Sequence, residues 1–361
     1  MPKKSKKSLD LFKERALSCL ALKGDEPGKY PIHRTDLVYT KKCAVCGSGS
    51  TSVLTEVYLA DRLNFLTTEV CNDCLFVFRS VSPSLRWFKK CWKKIKTEAV
   101  EVFNPEIEAI RKIRYEKYHR ILSKHVNSGN VLDIGAGYGT GSQIFKERGY
   151  EVESLEPEDN KARYIRQALG IQVYQKSIES FLSNPPKKRY DLIIFAHCLE
   201  HLDNPGSVLS HLKRILKPLG LLYIDGPVLW NYVTWSDALY LTHKSNFGEE
   251  HLINFVQNHS FKILEKTHIR HSPKEAFDFG LVLKADPYNK IRTPDNPPME
   301  HTLDEIFKLY RKNLLIPNLP QHTKLVYSVP HIEQFYCTLR LKDYIPAISS
   351  ANIITFEYLD K

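Results

Sequence analysis

The sequence predicts a doubly wound α/β domain built on a seven-stranded sheet, with a small four-cysteine module before it and a short C-terminal extension after it. Three observations carry that expectation. From residue 131 onward, apolar runs of strand length alternate with helical stretches, the pattern of strand–helix–strand crossovers in a parallel sheet. A glycine cluster, Gly135, Gly137 and Gly139, falls between the first of those strands and the helix that follows. Upstream, two Cys-x-x-Cys pairs, Cys43 with Cys46 and Cys71 with Cys74, stand 24 residues apart.

The elements follow in chain order. The 361 residues suit one large domain with attachments, and 42% hydrophobic with 26% charged residues excludes wholesale disorder. Residues 1–42 read as a basic tail and linker, with a short helical stretch around 9–22. Residues 43–80 form the cysteine module, with strand-like runs at 51–59 and 63–70. Residues 81–129 read as a helical connector, helical from 82 to 125. In it Asn104 suits an N-cap and Pro105 the first helical position, while Ile107, Ile110, Ile121 and Leu122 recur at helical spacing. Residues 130–285 form the α/β domain, with strands at 131–134, 152–155, 171–174, 192–195, 221–224, 261–264 and 280–283. Helices are expected at 140–148, 159–168, 205–216 and 249–258. Only a short loop separates the last two strands, which predicts an antiparallel pair at one edge. Residues 286–361 read as a proline-rich linker, one helix near 303–315 and some strand-like runs.

The net charge of +11 is local. Residues 1–15 carry six Lys and Arg against Asp10 and Glu14, and residues 86–124 carry twelve Lys and Arg against five Glu. A uniformly basic nucleic-acid binder is excluded, and only these two segments would draw phosphate. No apolar run approaches the ~20 residues that span a bilayer. The N-terminus lacks the apolar core of a secretory signal, so a soluble, cytoplasmic protein is expected.

Each Cys-x-x-Cys knuckle can place two thiolates on one tetrahedral ion, and two knuckles complete a closed site of Cys43, Cys46, Cys71 and Cys74. The intervening run holds two strands, as a zinc ribbon does. Four thiolates leave no open coordination position, so one structural zinc is expected rather than a catalytic one. The competing reading is two redox or incidental cysteine pairs.

At the glycine loop, glycines let the backbone turn tightly and approach a ligand, with helix N–H groups aimed at it. Glu156 follows Gly139 by seventeen residues and ends the second strand, where a carboxylate can take both hydroxyls of a ribose. The dinucleotide fingerprint requires Gly or Ala where this chain has Thr140 or Ser142, and neither frame fits. Asp133 followed by Gly135, Gly137 and Gly139 resembles instead the class I S-adenosylmethionine-dependent methyltransferases, which have a Rossmann-like fold. Lys176-Ser-Ile-Glu-Ser-Phe181 resembles that family's adenine-contacting segment. Tyr190-Asp-Leu-Ile-Ile-Phe-Ala-His-Cys-Leu-Glu-His-Leu-Asp-Asn-Pro205 resembles its fourth strand and helix start, and Leu216-Lys-Pro-Leu-Gly-Leu-Leu-Tyr-Ile224 its turn into the fifth strand. The resemblance covers roughly residues 130–285. It implies S-adenosylmethionine as cofactor, held by Asp133, Gly135, Gly137, Gly139, Glu156, Ser177, Ile178 and His197.

A zinc-ribbon-like module ahead of such a domain resembles the nucleotide-sugar C-methyltransferases and related small-molecule methyltransferases found with glycan genes. Tyr240-Leu-Thr-His243-Lys-Ser-Asn-Phe247 resembles the Tyr-x-x-His motif near their active site. The resemblance implies methylation of a sugar or nucleotide-sugar in carbohydrate or natural-product biosynthesis. C- versus O-methylation stays open, because residues 286–361 are shorter than that family's C-terminal domain. His243, Tyr240 and His201 are the candidate catalytic groups, histidine being the natural base near pH 7. For Glu200 and His201 the bland reading is a pair that caps and orients the next helix. The basic segment offers an alternative, RNA methylation, with Trp87, Phe88 and Trp92 among lysines; the competing reading is that these aromatics pack on the domain. A last alternative is a non-catalytic binding protein with this fold.

Overall fold

A computed structural model describes residues 31–59, 63–88, 90, 103–231, 242–270, 278–286, 301–313 and 325–329. Two sheets organise them. The smaller one is built from β1 (Leu37–Tyr39), β2 (Thr51–Leu59), β3 (Asn64–Cys71), β4 (Val77–Pro83), β10 (Ser245–Asn246) and β13 (Leu325–Val329). Its order is β1-β4-β3-β2-β13, with β10 also paired to β4. The larger sheet holds β5 (Asn130–Ile134), β6 (Glu151–Leu155), β7 (Gln172–Tyr174), β8 (Tyr190–Ala196), β9 (Leu216–Pro227), β11 (Phe261–Ile269) and β12 (Asp278–Ala285). Its order is β11-β12-β9-β8-β5-β6-β7. Strands β5 to β9 run parallel. Only β12 is reversed, antiparallel to both β9 and β11. The last two strands therefore pair antiparallel as expected, but the final one inserts beside β9 and leaves β11 as the outer strand.

The four helices expected within the α/β domain lie close to their bounds, and a further short one, not expected, spans Ile178–Ser183. In chain order the helices are α1 (Pro105–Leu122), α2 (Thr140–Glu147), α3 (Asp159–Ala168), α4 (Ile178–Ser183), α5 (Pro205–Ile215), α6 (Glu249–Asn258) and α7 (Leu303–Asn313). Helix α1 begins as its sequence dictates: the Asn104 side chain accepts from the backbone N–H of Glu106 and Ile107, with Pro105 next. Two expectations about this region are corrected. Residues 82 and 83 belong to strand β4, not to a helix. Ile107 and Ile110 are exposed; of the residues at that spacing α1 fully buries Leu122, and it also buries Tyr115 and Tyr118. Helix α5 shows the same capping logic, with Asn204 accepting from Ser207 N–H at 3.0 Å and Pro205 at the first position. Glu200 and His201 are therefore not its cap. Val208, Leu209, Leu212 and Ile215 form its buried stripe.

One face of the large sheet is covered by α1 and α2, through Tyr115, Tyr118, Leu122, Ile144 and Phe145. The other face shares a core with the small sheet, joining Cys71, Cys74, Phe76 and Phe78 to Phe195, Leu199, Phe247 and Phe255. Phe76 is fully buried with its ring 4.9 Å from that of Phe247, and burying one such side chain contributes about 1.5–3 kcal/mol. The cysteine module is thus fused to the α/β domain, not tethered beside it. Trp87 and Phe88 are buried against each other, their ring centroids 5.2 Å apart, which supports packing over base stacking in the basic segment. The tail helix near 9–22, Trp92, Tyr240 and most of 286–361 lie outside the described residues. Among the described residues, no helix is long and apolar enough to cross a membrane.

Candidate active site

The four cysteines meet. Cys43, Cys46, Cys71 and Cys74 place their sulfurs within 4.8 Å of one another, with Cys43 and Cys74 at 3.5 Å and Cys46 and Cys71 also at 3.5 Å. A zinc ion bonded at about 2.3 Å sets tetrahedral sulfurs roughly 3.8 Å apart, so the donor set fits a cation. Hydrogen bonds from Cys43 and Cys74 hold the Cys71 thiol strongly down, toward thiolate. Each knuckle ends in a tight turn, with Gly47 N–H donating to Cys43 O and Leu75 N–H to Cys71 O.

The second centre lies along the carboxyl ends of the parallel strands, where the order reverses between β5 and β8; that crevice is where such sheets bind ligands. After β5 the chain turns through Gly135, Gly137 and Gly139, all at positive φ. A Cβ at Gly135 would also meet Cys198 Sγ at 2.5 Å, so residues larger than glycine are barred there. Asp133 lies beneath this loop, fully buried. Its carboxylate accepts from Tyr115 Oη at 3.0 Å and Ser142 Oγ at 2.6 Å, and burial pushes its pKa up to about 6. Asp133 thus braces the loop from below and reaches a ligand only through it. Glu156, at the end of β6, accepts from Gly137 N–H at 2.9 Å and Glu158 N–H at 2.8 Å. Burial raises its pKa to about 7, against those hydrogen bonds and the charge of Lys161. Each of its oxygens retains a lone pair, the pair of acceptors that the two hydroxyls of a ribose need. Ser177 caps α4, accepting from Ser180 N–H, and Ile178 follows it at the same sheet edge.

Across the switch point, beyond β8, β9 and β12, sits a cluster of imidazoles and carboxylates. His197 adopts φ +51° and lies 3.0 Å from Asp278 and 3.4 Å from Asp225. Asp225 is fully buried and also accepts from Tyr118 Oη at 2.5 Å and Tyr223 Oη at 3.1 Å. Arg114 reaches Asp278 at 3.5 Å. Burial alone would lower the His197 pKa, but the two carboxylates outweigh it and hold the imidazolium up to about 10. Its folded pKa therefore exceeds the ordinary value of about 6.5, and the pairing stabilises fully below that pH and fades as pH climbs toward 10. His197→Gln is expected to lower stability by about 1.5–3 kcal/mol at neutral pH, a deficit that shrinks steadily in melting curves taken from pH 6.5 to 10. A deficit that stays flat over that range would mean the contact is not ionic.

Glu200, His201 and His243 form the neighbouring group, their ligand-capable atoms also within 4.8 Å of one another. The His201 and His243 rings meet edge to face, with centroids 4.9 Å apart. Burial, then the charges of His201, Arg79 and His197, hold the His243 pKa well below that of a free histidine, so His243 is neutral at pH 7. Backbone bonds fix this pairing: Lys244 N–H donates to Glu200 O at 2.6 Å, and His201 Nδ1 lies 3.0 Å from Thr242 O. The following residues join the small sheet, with Ser245 and Asn246 paired to Phe78 and Val77. Beside the group, Glu200, Asp225, Gly226, Phe247 and Phe279 line a cleft.

The structure thus brings His201 and His243 together, while Tyr240 lies outside the described residues. Sequence reasoning missed Asp225, Asp278, Arg114 and Tyr118. Asp225 had one legible signal, a carboxylate at the carboxyl end of a central strand. Asp278 had none, because an antiparallel neighbour delivers it.

A family model for a methyltransferase domain matches residues 106–266, a stretch that includes the glycine loop, Glu156, Glu200, His201 and His243. The ubiquinone biosynthesis O-methyltransferase of Actinobacillus pleuropneumoniae serotype 7 is 32% identical over 103 residues, covering 26% of this chain and 44% of that protein. The malonyl-(acyl-carrier protein) O-methyltransferase 2 of Ilyobacter polytropus is 24% identical over 194 residues, covering 51% of this chain and 75% of that protein. Among solved structures, the Burkholderia thailandensis 1,6-didemethyltoxoflavin-N1-methyltransferase aligns with a TM-score of 0.45 at 17% identity, over 59% of this chain and 97% of that one. The chain spans less than half the length of the ubiquinone O-methyltransferases it matches. Its seven-stranded sheet with one reversed strand, glycine loop and strand-end Glu156 are the class I S-adenosylmethionine-dependent methyltransferase fold.

Proposed function

We propose that this protein is an S-adenosylmethionine-dependent methyltransferase acting on a small molecule, with a sugar or nucleotide-sugar as the favoured acceptor. One observation carries the reading. The two halves of the switch-point crevice differ in chemistry, with a glycine loop and Glu156 on one side and the His201–His243 pair on the other. S-adenosylmethionine, when bound, supplies an electrophilic methyl group on sulfonium and leaves as S-adenosylhomocysteine. Gly135, Gly137, Gly139, Glu156, Ser177 and Ile178 hold it, while Asp133 fixes the loop. His197 serves as a fixed imidazolium beside that site. His243, assisted by His201 and Tyr240, directs the acceptor and its departing proton. The four-cysteine cluster takes a structural zinc.

Two features support the sugar class. The motifs that carry the resemblance, the cysteine module and the His243 segment, pack together: Phe247 lies on Phe76, and Ser245 pairs with Phe78. Burial of Trp87 and Phe88 leaves those two rings unable to stack on exposed bases. The test is release of S-adenosylhomocysteine by the full chain with nucleotide-sugars, phenols and short RNAs as acceptors. Turnover on nucleotide-sugars alone supports the reading, and turnover on RNA alone replaces it.

Glu156→Ala is expected to weaken S-adenosylmethionine binding by roughly 1–3 kcal/mol, since charge-assisted hydrogen bonds to the ribose are lost. Titration calorimetry measures it directly. Unchanged affinity would remove Glu156 from the cofactor site.

A further inference from the structure

We propose that Glu200, His201 and His243 bind a divalent first-row cation at the acceptor side of the crevice, a centre separate from the four-cysteine site. The inference rests on the methyl-transfer reading for its purpose, though not for the binding itself. Three observations carry it. Glu200 is buried, its side chain only 5% exposed, and Oε1 makes no hydrogen bond among the described residues, although an unsatisfied buried carboxylate oxygen is expensive. That oxygen faces His201 Nε2 at 3.9 Å and His197 Nδ1 at 3.8 Å, both too long for a hydrogen bond. His201 Nδ1 sits against the carbonyl of Thr242, which can only accept, so Nδ1 carries a proton and Nε2 is the nitrogen left to face Glu200. A ligating histidine is held in this way, its other nitrogen donating to a backbone carbonyl.

Two imidazoles and one carboxylate make a donor set for Zn²⁺, Fe²⁺, Co²⁺ or Mn²⁺ with open positions left over. A cation bonded at about 2.0–2.2 Å draws its donors to roughly 3–3.5 Å of one another. These donors already lie within 4.8 Å, so side-chain rotation closes the site. His201 is exposed, which gives the ion a way in. The adjacent trio of His197, Asp225 and Asp278 is also close enough to ligate. It is already spent, however: His197 bonds both carboxylates, and Tyr118, Tyr223 and Arg114 take up their remaining contacts. With the ion bound, His243 would direct the acceptor as a ligand rather than as the base: an open coordination position would receive an acceptor oxygen beside the methyl donor and favour its deprotonated form, the proton leaving to solvent.

The experiment titrates Mn²⁺ into the zinc-loaded full chain, followed by the loss of the free-ion paramagnetic resonance signal. Manganese is chosen because thiolate sites disfavour it. The expected result is one equivalent bound, with affinity reduced at least about tenfold in Glu200→Gln and in His201→Asn, and within about twofold of wild type in Asp278→Asn. Circular dichroism shows whether each variant is folded, and the exposed His201 makes His201→Asn the safer substitution. No saturable Mn²⁺ binding by wild type would overturn the proposal. Binding kept in both Glu200→Gln and His201→Asn but lost in Asp278→Asn would overturn it too, by moving the ion to the His197 trio. Either failure leaves S-adenosylhomocysteine release to decide the methyl-transfer reading separately.

Discussion

Cys71→Ser is expected to lose the bound metal and most of the soluble, folded protein together. Cys71 is fully buried at the end of β3, and its sulfur lies 3.5 Å from that of Cys46. Apparent binding free energies of structural zinc sites run to about 10–16 kcal/mol at neutral pH, and that energy is folding energy. A domain stable by about 5–15 kcal/mol cannot lose a large share of it and stay folded. Metal analysis of carefully prepared wild type should return one zinc per chain bound by these cysteines. Less than about half an equivalent, or a Cys71→Ser protein that melts like wild type, would show that the four cysteines are not a structural metal centre.

The loss should not stop at the small sheet, because that sheet holds part of the crevice. Arg79 N–H donates to Lys244 O at 2.8 Å, and Lys244 Nζ reaches Ser82 Oγ at 2.8 Å and Asp203 at 3.0 Å. His251, in α6, lies 2.6 Å from the carbonyl of Cys74. The knuckle that carries Cys71 and Cys74 is therefore a few residues from β4, the strand that pairs with Ser245 and Asn246. Metal binding, folding of the small sheet and placement of His243 form one chain of contacts.

The large sheet was legible because every crossover repeats the same signal, an apolar strand followed by an amphipathic helix with its cap. Asn104 with Pro105 and Asn204 with Pro205 both start helices where local chemistry says they should. The small sheet was legible only at β2 and β3, which are long enough to show alternation. Strands β1 and β10 have three and two residues, too few for any period, and their pairing to β4 is a tertiary fact. Helix α1 misled through its isoleucines, since its buried contacts are made by tyrosine rings that end on Asp133 and Asp225. On the cofactor side, Glu156 and the glycines announce themselves by position after strands. On the acceptor side, Glu200 looked like a helix cap because its neighbour in sequence is a helix start. Its carboxylate is instead turned toward His197 and His201, and His243 arrives from 43 residues further on.

That arrangement makes His243→Asn the sharpest test of the acceptor side. Turnover is expected to fall about 10²–10⁴-fold, with S-adenosylmethionine affinity within about twofold of wild type. The cofactor groups lie across the switch point, on β5 to β7, whereas His243 contacts His201 and stands two residues before β10, which pairs with β4. Asparagine keeps a polar planar group of smaller size, and the ties at Thr242 and Lys244 involve backbone atoms that the substitution leaves in place. The loss should therefore appear in kcat and not in folding, as single-turnover kinetics beside melting curves would show. Because burial keeps this imidazole neutral, protonation of His243 should not produce an acid limb near pH 6.5 in the wild-type rate. A fall in cofactor affinity larger than the fall in turnover would place His243 in the cofactor site. Loss with His201→Asn but not with His243→Asn would exchange their roles. If both variants stay active, alignment of acceptor and methyl group alone carries the reaction, and neither imidazole handles the proton.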